Sequence, residues 1–298
     1  MKATVVINPI AGRGRSRRLD ACSALARESL ARGGFDADIR ITTGPADAQR
    51  FAAEALDDGH ELVVAWGGDG TVNGVGAALT GSRVAMGVIP GGSGNGLARD
   101  LGLPLDAAAA LAVAATGRTR AIDVGELNGS LFFNVAGVGL DARIAGRMAA
   151  PGARRGLRGY VIATLSELAS YRSGHYVVEL PLDTHGSAIA TRALFIAIAN
   201  SRQYGNGAQI APLAMLDDGL MDVVVVRPMS LFSMLSRIPA FFNGTLRADE
   251  KVLMHAAASA TITSDRDIPF HVDGEPRSAA PTLTLRTRPA ALLVRVKA

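Results

Sequence analysis

Short apolar runs rich in valine and isoleucine alternate with amphipathic segments through the first 120 residues of the chain. Within residues 17–31, Leu19, Cys22 and Leu25 recur at the spacing of one helix face. Strands that alternate with helices in this way predict a parallel, doubly wound sheet. The predicted strands are residues 2–8, 35–41, 61–65 and 86–89, and the predicted helices are residues 17–31, 46–58, 75–79, 97–101 and 105–116.

From about residue 120 onward, strand-like runs dominate the pattern. Asn128 and Gly129 form a two-residue sequence that favours a β-hairpin turn. The predicted strands of this part are residues 131–135, 176–180, 193–199, 221–226, 260–264, 282–286 and 291–296, and the predicted helices are residues 157–171 and 230–242.

These patterns predict an α/β protein with two domains. Residues 1–120 form a doubly wound parallel-sheet nucleotide-binding domain, and residues 121–298 form a mainly antiparallel β domain, with the active cleft between them. Whether the final strand returns to the first domain is left open. The strongly apolar helix at residues 230–242 is expected to pack into the core, with a lipid-facing surface as the alternative.

The composition supports a large core and argues against disorder, since 48% of the 298 residues are hydrophobic and 19% are charged. The sequence contains no run of about 18 apolar residues, which argues against a transmembrane helix. The single cysteine cannot form an internal disulfide, so we expect a cytoplasmic protein. The net charge of +4 fits an anionic partner. Because aromatics make up only 5% and do not alternate with basic residues, we expect no nucleic-acid partner and favour transient contact with an anionic membrane surface.

Three glycine-rich turns follow predicted strands of the first domain, at residues 12–14, 67–71 and 90–96. Glycine lets a backbone approach a ligand closely, and free amides at a helix N-terminus favour phosphate. The carboxyl ends of parallel strands meet at one edge of a sheet, so the turns predict a nucleotide site there. Asp69 would repel a phosphate directly, so we expect it to act through Mg²⁺ or as a hydrogen-bond acceptor. The simpler alternative is that such turns only cap helices.

Asp273 and Glu275 flank a glycine late in the chain. Phosphoryl transfer to an alcohol needs a group that takes the hydroxyl proton, and either carboxylate could serve. In a regular strand the two side chains would face the same side. Taken alone, the residues also fit a solvated β-turn, and the neighbouring His271 is expected to be a packing residue.

Five segments in order resemble the diacylglycerol kinase catalytic family, which includes bacterial lipid kinases, sphingosine kinases and ceramide kinases. They are residues 8–14, 67–71, 90–95, 217–220 and 272–275. The resemblance implies ATP-dependent phosphorylation of a lipid hydroxyl, with ATP and Mg²⁺ as cofactors. It also implies a membrane lipid as partner and a peripheral location at the inner membrane face. A homodimer is left open.

The resemblance also implies roles for individual residues. Asp69, Asp273 and Glu275 are the candidate catalytic residues, with Glu275 preferred as the base. Asp123 and Arg99 match a polar network near the phosphate site. The residues matched to ATP binding are Asn8, Arg13, Thr43, Gly67, Gly68, Gly70, Thr71, Asn73, Ser93 and Asn95.

A structural Mg²⁺ is implied at the Asp218 carboxylate with the carbonyls of Met215 and Leu220, an oxygen set suited to a hard cation. Many bacterial members have an acidic residue after the asparagine that matches Asn95. This chain has Gly96 there, and in this it is more similar to sphingosine kinases. Diacylglycerol is the expected acceptor. The alternatives are a sphingoid-base or ceramide kinase, then an NAD kinase, then a non-catalytic ATP-binding membrane-associated protein.

Overall fold

The computed structural model describes residues 1–9, 17–150, 163–164, 166–168, 170–181, 187–205, 207–278 and 281–298. The chain divides into two compact units. The first unit is Met1–Ile122 with Ala290–Ala298, and the second is Asp123–Pro289. Two strands, β5 (Arg118–Leu127) and β18 (Thr282–Val296), contribute residues to both units.

The first unit contains the strands β1 (Lys2–Ile7), β2 (Asp36–Ile41), β3 (Leu62–Gly67) and β4 (Ala85–Pro90). They form a parallel sheet in the order β2–β1–β3–β4, with the last residues of β18 beside β4. Its helices are α1 (Arg17–Arg32), α2 (Asp47–Asp57), α3 (Asp69–Leu79), α4 (Gly96–Asp100) and α5 (Ala107–Thr116).

Helices cover both faces of this sheet, which explains why its inner strands are continuous apolar runs. Val5 and Val64 pack on one face with α1 and α5. Their neighbours Val6 and Ala65 are also buried and point to the opposite face, where α2 packs against α3. The predicted doubly wound parallel sheet is therefore confirmed.

The second unit is mainly antiparallel, as predicted. Its further strands are β6 (Ser130–Phe132), β7 (Val135–Gly139), β8 (Gly174–Leu180), β9 (Ser187–Ala193), β10 (Phe195–Ala199), β11 (Gln203–Gly205), β12 (Ala208–Gln209), β13 (Met221–Val226), β14 (Val252–Ala257), β15 (Ser259–Ser264), β16 (Pro269–Val272) and β17 (Glu275–Ser278).

These strands form two large sheets and a small two-stranded sheet of β11 and β12. One large sheet has the order β18–β15–β8–β9, with β5 and β6 at its side, and the other has the order β14–β13–β10–β7–β16–β17. Residues from both sheets share one buried core, for example Ile262 and Leu283 with Ile196 and Val223.

Three local predictions have clear outcomes. The Asn128-Gly129 hairpin is confirmed, because both residues have positive φ and β5 pairs with β6 around them. The strand predicted at residues 131–135 is wrong: this stretch is the end of β6 and the start of β7, which belong to different sheets. The two strands predicted at residues 282–286 and 291–296 are one continuous strand, β18.

Two further helices belong to the second unit, α6 (Leu140–Ala149) and α7 (Leu231–Asn243). Most of the helix predicted at residues 157–171 lies outside the described residues, although residues 163–164, 166–168 and 170 are helical. None of the described helices is long and apolar enough to cross a membrane.

The expectation that α7 packs into the core is wrong. This helix, which the structure describes in full, has no fully buried residue, and Phe232 is 82% exposed. Leu235 and Ile238 are also exposed, while Ala240 and Phe241 contact the core of the unit. Apolar spacing identifies a helix face, but it does not show whether another element covers that face.

Candidate functional site

Two glycine-rich turns of the first unit pack backbone against backbone. The amide of Gly91 donates to the carbonyl of Gly67 at 2.8 Å. A Cβ at Gly92 would lie 2.7 Å from the Cα of Gly68, and a Cβ at Gly67 would overlap the side chain of Thr71. Only glycine fits this close approach.

The first of these turns opens α3 earlier than predicted, since the helix begins at Asp69 rather than at residue 75. Gly68 is its N-cap and lies in an extended conformation. The amides of Asp69 and Gly70 belong to the first helical turn, where helix geometry provides no intrahelical acceptor. This arrangement suits an anion, as phosphate binding requires.

Asp69 holds the second turn through both carboxylate oxygens. Its Oδ2 accepts the amide of Asn95 at 3.1 Å, and its Oδ1 accepts the amide of Gly96 at 2.9 Å. A Cβ at Gly94 would lie 2.7 Å from Oδ2. Asp69 was expected to act through Mg²⁺ or as a hydrogen-bond acceptor, and in the structure it accepts hydrogen bonds.

Asn95 locks the same turn from within. It adopts a left-handed conformation, with φ of 52°, which asparagine tolerates better than most residues. Its Oδ1 accepts the amide of Gly92 at 2.9 Å and its Nδ2 donates to the carbonyl of Gly92 at 2.8 Å. Arg99 donates to the carbonyl of Gly94 at 3.0 Å. Ser93 lies at the exposed tip, where its hydroxyl can meet a ligand.

Thr43 follows β2 and bonds to the start of α2. Its hydroxyl and its amide donate to Oδ2 of Asp47 at 2.8 and 2.7 Å, and the Gly44 amide donates to the same atom at 2.9 Å. Hydrogen bonds from Arg50, Thr43 and Gly44 hold the pKa of Asp47 well below its ordinary value. Because the Thr43 hydroxyl donates its hydrogen to Asp47, it can act toward a ligand only as a hydrogen-bond acceptor.

Asn8 follows β1, and its Nδ2 donates to the Thr71 hydroxyl at 3.2 Å. Asn73 lies half-buried on α3, and Arg13 lies outside the described residues. The carboxyl ends of four neighbouring parallel strands therefore bring most of the predicted ATP residues to one edge of the sheet.

The second unit contains the predicted pair of carboxylates, Asp273 and Glu275, and the two lie in different surroundings. Asp273 and Gly274 have φ of 48° and 84° and form the two-residue turn between β16 and β17. The Asp273 carboxylate accepts the amides of residues 133–135 at 2.9, 2.9 and 3.0 Å. The expectation that both carboxylates face the same side, as in a regular strand, does not hold, because Asp273 lies in the turn.

Glu275 is the first residue of β17, and its side chain is 54% exposed. It lies near Arg277, with 3.8 Å between the guanidinium Nη1 and Oε2 of Glu275. The Glu275 carboxylate is therefore accessible to an acceptor, whereas that of Asp273 serves the backbone.

The pattern of the sequence did not indicate Asp141, a buried carboxylate in the first turn of α6. Its Oδ2 lies 2.7 Å from Nε2 of His271, two residues before the Asp273 turn. The residues are 130 positions apart in sequence, so no local signal could have linked them.

The predicted metal loop precedes β13. Asp218 is exposed, and its Oδ1 accepts the amide of Leu220 at 3.0 Å, while Met215 lies exposed earlier in the loop. No group of three or more His, Cys, Asp or Glu side chains in the described part of the chain is arranged to hold a metal. The predicted Mg²⁺ site does not depend on such a group, because two of its three ligands are backbone carbonyls.

Asp123 fixes this loop from the interior. Its Oδ2 accepts the amide of Gly219 at 2.6 Å, and its own amide donates to the carbonyl of Leu216 at 2.7 Å. Burial, together with the negative charge of Asp218, raises the pKa of Asp222 to about 6. The excess negative charge around the loop and its oxygen donors fit a hard cation.

Comparisons with known proteins cover nearly the whole chain. Residues 2–127 match the diacylglycerol kinase catalytic domain, and residues 134–296 match the YegS C-terminal NAD kinase beta sandwich-like domain. A "Probable lipid kinase YegS-like" from Pseudomonas fluorescens is 33% identical over 267 residues, 88% of this chain and 86% of the relative. One of the same name from Klebsiella pneumoniae is 33% identical over 271 residues, 88% of this chain and 87% of the relative.

Among solved structures, the crystal structure of a diacylglycerol kinase from Bacillus anthracis has a TM-score of 0.75 at 21% identity, covering 99% of this chain and 96% of that one. This likeness shows the fold, and the relatives and family models confirm the predicted family. The chain therefore belongs to the diacylglycerol kinase catalytic family, in the group of lipid kinases with a YegS-type C-terminal domain, and is a phosphotransferase with an alcohol acceptor.

Proposed function

We propose that the protein is an ATP-dependent kinase that transfers the γ-phosphate to the free hydroxyl of diacylglycerol and releases phosphatidic acid. The observation that carries this proposal is the open N-terminus of α3 at residues 68–70, at the sheet edge where four strands end. Its amides would bind the phosphates of ATP. Asn8 and Ser93 would add polar contacts, and Thr43 would accept a hydrogen bond from a ribose hydroxyl.

Glu275 is the proposed general base. The acceptor oxygen forms a bond to the γ-phosphorus, the bond from the γ-phosphorus to the β–γ bridging oxygen breaks, and the hydroxyl proton passes to Glu275. Asp273 is the weaker candidate, because three backbone amides already occupy its oxygens. Asp69 would act on the nucleotide through the turn that it holds, and Mg²⁺ would supply charge neutralisation at the phosphates.

The test is transfer of labelled γ-phosphate from ATP and Mg²⁺ to a panel of lipids in mixed micelles, with NAD included. Labelled phosphatidic acid is the expected product. If the labelled product is a phosphorylated sphingoid base or ceramide, that lipid is the acceptor and not diacylglycerol. Labelled NADP would overturn the assignment of a lipid acceptor. Tight ATP binding without any product would favour the non-catalytic alternative.

We also propose that the Asp218 loop binds Mg²⁺ through the Asp218 carboxylate and the carbonyls of Met215 and Leu220. We expect saturating Mg²⁺ to raise the Tm of the protein by a few degrees, since a ligand at 100 times its Kd stabilises by about 2.7 kcal/mol. In Asp218→Asn the rise should be lost, because the only charged ligand is removed. Calorimetry with and without Mg²⁺ measures the difference.

The matched control for this prediction is Asp217→Asn, which removes a neighbouring exposed carboxylate that is not a proposed ligand. It should keep the full response to Mg²⁺. Equal loss of the response in both variants would show a diffuse charge effect, and would contradict a site at Asp218.

We further propose that the protein works at the inner face of the cytoplasmic membrane and that the exposed apolar face of α7 contacts an anionic bilayer. The substrate of a lipid kinase lies in a membrane. Phe232 and Leu235 expose apolar surface to solvent, and exposed apolar patches mark sites that contact a protein or a membrane. Burial of such a side chain stabilises by about 1.5–3 kcal/mol.

Phe232→Ser and Leu235→Ser should therefore each weaken binding to phosphatidylglycerol vesicles by about 10-fold or more. Activity on diacylglycerol in those vesicles should fall in parallel, while activity on a water-soluble short-chain diacylglycerol should not. Ser236→Ala on the same helix is the control, since it removes an exposed hydroxyl and its hydrogen bond to the Ser233 carbonyl but no apolar surface. Unchanged vesicle sedimentation of both serine variants would exclude α7 as the contact.

A further inference from the structure

A buried His–Asp pair lies directly behind the turn that carries Glu275. Nε2 of His271 and Oδ2 of Asp141 are 2.7 Å apart, and each side chain is only 5% exposed. His271 is on β16, whereas Asp141 is in the first turn of α6. The neighbours of His271 on its strand, Phe270 and Val272, are buried apolar residues, so packing alone does not account for a polar side chain here.

The space for this pair depends on a glycine. Gly137 on β7 lies opposite His271 in the register of the sheet. A Cβ at this position would overlap Oδ2 of Asp141 and Nε2 of His271. Three elements, β7, β16 and α6, therefore enclose the pair.

The second ring nitrogen of His271 contacts the turn. The amide of Gly274 donates to Nδ1 at 3.2 Å. A backbone amide can only donate, so Nδ1 carries no hydrogen and Nε2 donates to Asp141. The structure thus requires one neutral tautomer of His271.

Both turn residues are consequently held in place. Asp273 is bonded to the amides of residues 133–135, and Gly274 is bonded to His271. Glu275 is the next residue, so its position depends on the same contacts. We propose that His271 is a positioning residue that fixes the turn presenting Glu275, and that Asp141 sets the tautomer and orientation of its ring. This inference rests on the proposed role of Glu275 as the base.

Protonation of His271 would disturb the contact, because an Nδ1 hydrogen would face the Gly274 amide, which is also a donor. The titratable groups on the elements packed around the ring are Asp141, Arg143 and Arg147 on α6, Asp273 in the turn, and Glu275 and Arg277 on β17; β7 carries no titratable side chain. Burial disfavours the imidazolium, but Asp141 and, less strongly, Asp273 outweigh it and raise the pKa of His271 above its ordinary value. Activity should therefore be present above this pKa and be lost as the pH falls through it.

Nuclear magnetic resonance of ¹⁵N-histidine-labelled protein tests the contact without any need for turnover. We expect His271 to carry its hydrogen on Nε2, and the amide resonance of Gly274 to shift with the same pH midpoint as the His271 ring. His175→Gln, which changes an exposed histidine on β8, should leave both signals unchanged. A hydrogen on Nδ1 at high pH would overturn the proposal.

Two substitutions separate the two contacts of the ring. His271→Gln retains a donor toward Asp141 but loses the acceptor for Gly274, whereas His271→Asn retains an acceptor near the Nδ1 position but loses the donor. We expect His271→Gln to lower kcat by about 10- to 100-fold, as a misplaced catalytic group does, with little change in KM for ATP. His271→Asn should retain more of kcat than His271→Gln.

Asp141→Asn keeps an acceptor for Nε2 but removes the charge, so the pKa of His271 should fall and the acid limb of the pH profile should move to lower pH. A purely structural role predicts no such shift, and equal loss of kcat in both His271 variants with an unmoved acid limb would contradict the inference. If the wild-type protein phosphorylates no lipid, the proposed function fails. The resonance experiment then decides the His271–Gly274 contact on its own.

Discussion

Glu275→Gln is expected to lower kcat for lipid phosphorylation by about 10²- to 10⁴-fold, the usual contribution of a general base. The substitution keeps the size of the side chain and removes only its ability to accept a proton. Because Glu275 is exposed and its contact with the Arg277 guanidinium, at 3.8 Å, is long, neither Tm nor the Kd for ATP should change appreciably. Steady-state kinetics, calorimetry and nucleotide titration on one preparation give the three values.

Asp273→Asn provides the informative contrast. An amide in place of this carboxylate directs N–H groups toward backbone amides that are themselves donors, which costs about 1–3 kcal/mol for each group left unsatisfied. We therefore expect a lowered Tm for Asp273→Asn and an unchanged one for Glu275→Gln. Glu250→Gln, an exposed substitution on a loop, is the neutral control. Full activity of Glu275→Gln with loss of turnover in a folded Asp273→Asn would assign the base to Asp273.

The fold was largely predictable because its signals are local. The buried strands β1 and β3 are continuous apolar runs, and the periodicity of α1 is visible over 16 residues. Asn128 and Gly129 specify their turn through their own backbone preferences. The exposure of α7 was not predictable, because it depends on elements distant in sequence that do not cover the helix.

The candidate site was predictable in its residue types but less so in their roles. Asp69 is bonded to a turn 26 residues away, and Asp273 to an amide 139 residues away. A carboxylate beside glycines has the same local sequence whether it contacts a ligand or a distant backbone. Both aspartates accept hydrogen bonds from backbone amides in the structure. Their substitution should therefore change the geometry of the turns directly, and affect ligand contacts through those turns.

Asp69→Asn is expected to weaken ATP binding by about 10- to 100-fold. Both oxygens of Asp69 accept backbone amides, from Asn95 and Gly96. An asparagine has one acceptor oxygen, so its NH₂ group would face one of these donors, at a cost of about 1–3 kcal/mol. The turn that packs on the start of α3 would lose its fixed geometry, and phosphate binding there depends on that geometry. Titration with ATP and with ADP measures the effect.

Asp106→Asn is the matched control in the same unit. Asp106 is the N-cap of α5, and only its Oδ1 accepts an amide, that of Ala109 at 3.0 Å. Asparagine caps helices as well as aspartate does, so this change should leave both Tm and ATP affinity unaltered. The two variants remove the same charge and differ in the number of amides that the side chain must accept. Equal weakening of ATP binding in both would attribute the effect to net charge, while loss at Asp69 alone would attribute it to the two-amide contact that orders the phosphate-binding turns.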